Sequence, residues 1–224
     1  MPLHQMHPDL RTVYEALRAE VTWLHARWIS YSQLFGKSQK RVDMLNECAR
    51  SLFFFIHETL ANDLLLSLCK LTDPASQGEG KGRKENLSLN RLQESLEEFG
   101  EVLLAAECKV TLKEININAE PLKVLRNKQL AHIDLAVALE NSAQPLPQIA
   151  KHQIDEALQL VRQYLNSIET YYNNNVWRYE HLMMVGTDGD ALVDILRDGL
   201  RYDQLLQEEV IPYSDQQKSV WTDA

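Results

Sequence analysis

The chain has 224 residues, 45% of them hydrophobic and 25% charged, with 23 basic against 32 acidic side chains and a formal net charge of −9. This is the balance of a soluble globular protein of one large domain or two small ones. It excludes wholesale disorder, a fibre, and sequence-independent coating of duplex DNA, which needs many phosphate contacts. Three cysteines, Cys48, Cys69 and Cys108, are an odd set at spacings of 21 and 39. They fit neither a disulfide framework nor a paired metal motif, so a reducing, cytoplasmic setting is expected.

The first residues, MPLHQMHPDL, lack the basic and apolar regions of a secretion signal. The longest uninterrupted apolar run is Leu52–Ile56, far short of the ~20 residues that span a bilayer, so no membrane partner is expected. Apolar residues then recur at three and four almost throughout. Asp9 reads as an N-cap, and Leu10, Val13, Leu17, Val21, Leu24 and Trp28 give a helix over 9–33. Beyond a break at Phe35-Gly36-Lys37-Ser38, the stripe Val42, Leu45, Ala49, Leu52, Ile56, Leu60, Leu64, Leu68 and Leu71 predicts a long spine helix over 39–72.

Residues 73–87 read as a loop, opened by Pro74, which ends the helix before it. The loop lacks the strand and the G-x-x-x-x-G-K-[ST] pattern of a nucleotide P-loop. Ser88 reads as the N-cap of a helix over 89–107, with Leu92, Leu96, Phe99, Leu103 and Leu104 facing inward. A short helical piece over 109–116 follows, then a helix capped by Asn118, with Pro121 in its first turn, running to about 139. Helix 151–174 has the cleanest pattern, Ile154, Leu158, Val161, Leu165, Ile168 and Tyr172. A last helix over 189–207 places Leu192, Ile195, Leu196 and Leu200 on one side. No strand and no internal repeat is expected. The fold class is all-α, an up-and-down bundle of about six helices: a bundle over 9–175, and a C-terminal acidic extension over 176–224 packing on the same domain.

Charge is uneven. Residues 151–224 hold 13 acids against 6 bases, whereas Lys109, Lys113, Lys123, Arg126 and Lys128 crowd into 109–128 against Glu114 and Glu120. An acidic whole thus carries one local basic stretch, and the chemistry gathers there. No G-x-S-x-G, H-E-x-x-H or paired C-x-x-C occurs. Cys108 reads as a small buried hydrophobe. His57 sits at the edge of an apolar stripe, with Arg50 two turns earlier on the same side. These two are either a satisfied core histidine and a surface arginine, or polar groups supporting a site.

The segment Leu125-Arg126-Asn127-Lys128-Gln129-Leu130-Ala131-His132-Ile133-Asp134 is richer. Arg126 can fork onto a phosphate, His132 can move a proton near neutral pH, and Asn127 can orient either. Together they could cut a phosphodiester without metal or cofactor. His132 would take the proton of a ribose 2′-hydroxyl and Arg126 would stabilise the developing charge. Lys128 and Lys123 would draw phosphate in. On an ideal helix, six positions turn through about 600°, so Arg126 and His132 would stand some 240° apart. Either the helix distorts, or two copies meet across a two-fold axis and share one cleft; the second is the arrangement favoured here.

This segment resembles the signature of the HEPN (higher eukaryotes and prokaryotes nucleotide-binding) superfamily. That signature is an arginine, a polar residue after it, and a histidine four to six positions beyond the arginine. The wording LRNKQLAHID, the spine helix ending at Leu71-Thr72-Asp73-Pro74 and the Leu-rich helix at 89–104 resemble its abortive-infection U-type branch. The resemblance covers about residues 10–175. It implies a helical bundle, homodimerisation, and metal-independent RNA cleavage by a toxin in phage defence or a toxin–antitoxin system, with a cognate antitoxin as partner. It assigns Arg126 to phosphate, Asn127 as its polar partner and His132 to proton transfer. Asp134 matches the branch wording and is expected in an ion pair or cap. Two other readings stand beside the nuclease: a non-catalytic module binding a nucleotide, an RNA end or a partner protein, and a scaffold in which Arg126 and His132 are structural.

Overall fold

The computed structural model of the chain describes residues 5–78, 80–130, 149–181 and 186–212. Among these the fold is all-α, with six helices: α1 Pro8–Phe35, α2 Gln39–Leu71, α3 Leu89–Glu98, α4 Val102–Leu125, α5 Lys151–Asn173 and α6 Gly189–Gln207. A π-helical turn, Arg126–Leu130, continues directly from α4. The residues group into two compact units. The first is Met1–Trp28 with Thr59–Leu182; the second is Ile29–Glu58 with Met183–Ala224.

In the first unit the expected stripes are buried. Leu10, Leu17, Val21 and Leu24 of α1, Leu64 and Leu68 of α2, and Ile154, Leu158, Val161, Leu165, Ile168 and Tyr172 of α5 all lie inside. Each fully buried Leu or Ile contributes about 1.5–3 kcal/mol. Helix α4 packs on α5 and on α3. Helix α1 begins one turn-position before the expected cap. The His7 carbonyl accepts the Arg11 N–H at 2.9 Å, and Pro8 takes the first helical position, where its missing N–H costs nothing. Asp9 therefore sits inside the first turn.

The larger differences follow from two residues. Ser88 caps α3 as expected, its Oγ accepting from the Arg91 N–H at 3.2 Å. However, α3 stops at Glu98. Gly100, at φ +78°, forms a Schellman end: the Glu101 N–H donates to the Leu96 carbonyl and the Gly100 N–H to that of Glu97. The break resets the helical phase, so Leu104 is buried while Leu103, expected inward, is 85% exposed. From Val102 the helix then runs unbroken through 108–118. Asn118 is therefore no cap; its side chain donates to the Glu114 carbonyl at 3.2 Å. Pro121 lies inside α4, where it removes the bond to the Ile117 carbonyl. The burial of Leu112, Ile115, Ala119 and Leu122 on the same helix outweighs that loss. The expected end of this helix near 139 lies outside the described residues.

The segment after α2 is also more ordered than a bare loop. Ser76–Gln77 pairs antiparallel with Lys84–Glu85, so a two-residue strand pair stands where no strand is expected. Gly78, at φ +80°, makes the turn; a Cβ there would meet the Gly82 carbonyl oxygen at 2.8 Å.

The second unit has its own small core of Leu34, Leu45, Phe53 and Val193, with Phe35, Met44, Cys48, Ala49, Ile56 and Leu196 packed against it. Ala49 is non-helical (φ −162°, ψ 71°) within α2. That slip moves Phe53 inward in place of Leu52, which is exposed, as are Phe54 and Phe55. Helix α6 turns Val193 and Leu196 to this core and Ile195 outward, not the side expected. Asp188 caps α6 by accepting the Ala191 N–H at 3.1 Å, and takes the Gln33 amide at 2.8 Å. Lys37 Nζ and Arg41 Nη1 both meet the Asp190 carboxylate at 2.6 Å. These cations hold the Asp190 carboxyl below its ordinary range, Lys37 first.

By length and composition alone, α2 is apolar enough to cross a membrane, Glu58 and Asp63 being the charged residues within its most apolar stretch.

Candidate functional site

The motif is reached from two helix ends that meet. Helix α2 stops at Leu71 because Pro74 cannot continue it and disfavours helical backbone at Asp73. The Thr72 hydroxyl folds back onto the Cys69 carbonyl at 3.0 Å. This leaves main-chain carbonyls at the negative end of the helix dipole, and two side chains answer them. Lys123 Nζ, from α4, donates to the Thr72 carbonyl at 3.0 Å. Asn90 Nδ2, from α3, donates to the carbonyls of Thr72 at 3.1 Å and Asp73 at 3.0 Å. Asn116, from α4, in turn donates to Asn90 Oδ1 at 3.4 Å.

The chain end thus anchored presents the Asp73 carboxylate to Arg126. Arg126 Nη1 donates to Asp73 Oδ1 at 2.9 Å, and both side chains are about one-fifth exposed (21% and 19%). Arg126 Nε donates to Asn127 Oδ1 at 3.0 Å. The hydrogen bond to Asp73 pushes the arginine further into its charged form. Beneath it, burial pushes the Cys69 thiol up to about 11, opposed by the Arg126 charge. Cys108, fully buried, is pushed up to about 12. Neither thiol is a nucleophile near neutral pH.

Arg126 and Asn127 open the π-helical turn. A π turn closes its hydrogen bonds over five residues and is wider than 3.6 residues per turn, so ideal-helix angles do not hold among Arg126–Leu130. Such turns are frequent at functional sites. Lys128 is half-buried on the same turn. Lys123, expected to attract substrate, has its ammonium engaged as a cap on α2. His132 and Asp134 lie outside the described residues.

Arg50 and His57 belong to the second unit. The His57 ring takes the Tyr31 hydroxyl at Nε2 (3.0 Å) and Glu58 Oε1 at Nδ1 (3.2 Å), with the Phe35 ring edge-on at 5.1 Å. Arg50 and His57 line a groove with Phe35, Val42, Phe53 and Phe54. Among the described residues no three His, Cys, Asp or Glu side chains gather as a metal site.

Sequence reasoning placed Arg126 and Asn127 together but did not single out Asp73, Asn90 or Asn116. The available signal for Asp73 was an Asp-Pro step closing the spine helix.

The chain matches the family model of AbiU2, a HEPN family, over residues 8–187. No curated protein and no solved structure gives a match. The match spans α1 to α5 and includes the whole Arg126–His132 segment, so the chain belongs to the AbiU2 family of HEPN domains.

Proposed function

We propose that this chain is a metal-independent endoribonuclease that acts as a homodimer, with Arg126, Asn127 and His132 at its reacting centre. His132 takes the proton from a ribose 2′-hydroxyl. The 2′-oxygen then bonds to the adjacent phosphorus as the bond from phosphorus to the 5′-oxygen breaks. The leaving oxygen takes up a proton, and a 2′,3′-cyclic phosphate remains. Arg126 neutralises the charge gathering on the phosphoryl oxygens, and Asn127 holds the guanidinium through Nε. Lys128 adds positive field on the same turn. The carrying observation is the hydrogen-bonded Arg126–Asn127 pair at the start of a π turn, with His132 six positions after Arg126 in the sequence.

The homodimer draws support from α4. Leu103, Val110, Ile117 and Val124 are exposed at intervals of seven on the helix that ends at Arg126. An apolar seam of that period suits a second helix of the same kind. The setting proposed with it is a cytoplasmic toxin or phage-defence effector with a cognate antitoxin protein as its partner, a reading supported only by membership of an abortive-infection family.

The test is cleavage of diverse RNAs in EDTA by the unaltered chain and by His132→Ala. Loss of a proton-transfer group is expected to slow cleavage by about a hundredfold or more. Equal rates, or no cleavage by the well-folded unaltered chain, would defeat the nuclease. RNA binding without cleavage that disappears in Arg126→Ala would make the chain a binding module instead.

A further inference from the structure

We propose that Asp73 is the positioning residue for Arg126, fixing the plane in which the guanidinium meets a substrate phosphate. This rests on the reading of Arg126 as the phosphate-binding group. An arginine side chain carries several rotatable bonds, and a site that binds one phosphoryl geometry needs them settled before substrate arrives. Two bonds settle a rigid planar group. Nη1 is held by Asp73 at 2.9 Å and Nε by Asn127 at 3.0 Å. Neither bond uses Nη2, the nitrogen shared by both forks of a guanidinium, so its donors are left for a phosphate.

Asp73 is itself in an unusual place. A carboxylate just past the C-terminus of α2 faces the negative end of that helix dipole, where an anion is disfavoured. It is kept there by neighbours on two other helices. Asn90 from α3 bonds both the Thr72 and Asp73 carbonyls, Lys123 from α4 bonds the Thr72 carbonyl, and Asn116 from α4 steadies Asn90. The backbone that bears the carboxylate is therefore fixed from α3 and α4 before the carboxylate reaches Arg126. A merely solvated surface ion pair has no such foundation, and both partners here are largely withdrawn from water.

The rival role for the same contact is competition, in which Asp73 occupies Arg126 and a phosphate must displace it. The two roles predict opposite signs. The experiment measures equilibrium binding of a single-stranded RNA oligonucleotide at fixed salt. All proteins carry His132→Ala so that the RNA stays whole. The set is that background alone, then with Asp73→Asn, Asp73→Glu, Arg126→Ala, and Asp73→Asn with Arg126→Ala, each checked for an unchanged Tm.

Positioning predicts that Asp73→Asn weakens binding about tenfold, that Asp73→Glu recovers part of the loss, and that Asp73→Asn adds nothing once Arg126 is gone. Tighter or unchanged binding by Asp73→Asn overturns the proposal, as does a loss that adds in full to that of Arg126→Ala. If Asp73→Asn does not fold, the decision passes to Asp73→Glu, which keeps the charge and moves it by one methylene. Binding by that variant equal to or tighter than the background overturns the proposal, and weakened binding upholds it. An Arg126→Ala protein that binds RNA normally removes the reading of Arg126 itself, a different failure from the others.

Discussion

His25 offers a test of the first unit that needs no substrate. The side chain is 2% exposed on α1. Its Nδ1–H donates to the Val21 carbonyl at 2.8 Å, and its ring lies 5.1 Å from that of Tyr179. Burial penalises the imidazolium, the nearby Arg162 adds to that, and the pKa falls from 6.5 to about 4. The unfolded chain therefore binds this proton more readily than the folded one, so stability must rise with pH between the two values. The contribution is fully present above pH 6.5, is lost as pH falls towards 4, and changes little below that. A gap of about 2.5 units is worth about 3 kcal/mol in all, with about 2 kcal/mol gone by pH 5. Urea unfolding at pH 7, 6, 5 and 4 measures the slope in the unaltered chain and in His25→Gln. Carboxylates titrate in both and cancel in the comparison. If the two curves fall in parallel between pH 7 and 5, the buried neutral imidazole is not the source.

Two further outcomes follow from packing. Phe53→Ala should cost about 3–5 kcal/mol in urea unfolding and Leu52→Ala less than about 0.5; equal costs would contradict the phase change at Ala49. In alkylation at pH 8 followed by mass spectrometry, Cys48, partly exposed, should be labelled well before Cys69 and Cys108, whose thiols are buried and raised to about 11 and about 12. Labelling of all three at one rate would mean that the first unit, which holds Cys69 and Cys108, opens as readily as a partly exposed thiol reacts.

Helices that bury one regular face were legible from spacing alone. The stripe on α5 is buried at every expected position, and α6 begins and ends where the pattern placed it. What failed was phase across a break. Gly100 and Ala49 each shift the buried face by one position, and a pattern read by eye carries Leu103 and Leu52 inward across them. Asn118-Ala119-Glu120-Pro121 looks locally like a helix start, but long-range burial along α4 overrode that local preference. At the site, Arg126 and Asn127 were legible because they are neighbours in sequence. Asp73 was not, because its contact with Arg126 joins positions 53 residues apart, and spacing arguments see only one helix at a time.

The second unit joins Ile29–Glu58 to a segment that begins only at Met183. A ribosome releases the former long before the latter. Until α6 emerges, Leu34, Leu45 and Phe53 have no Val193 to close over them, and Lys37 and Arg41 await the carboxylate of Asp190. This unit cannot close until α6 has been made, and the nascent chain carries an open apolar seat until then. A stop codon placed shortly before α6 would leave that seat permanently open, and aggregation of the shortened product would be its consequence.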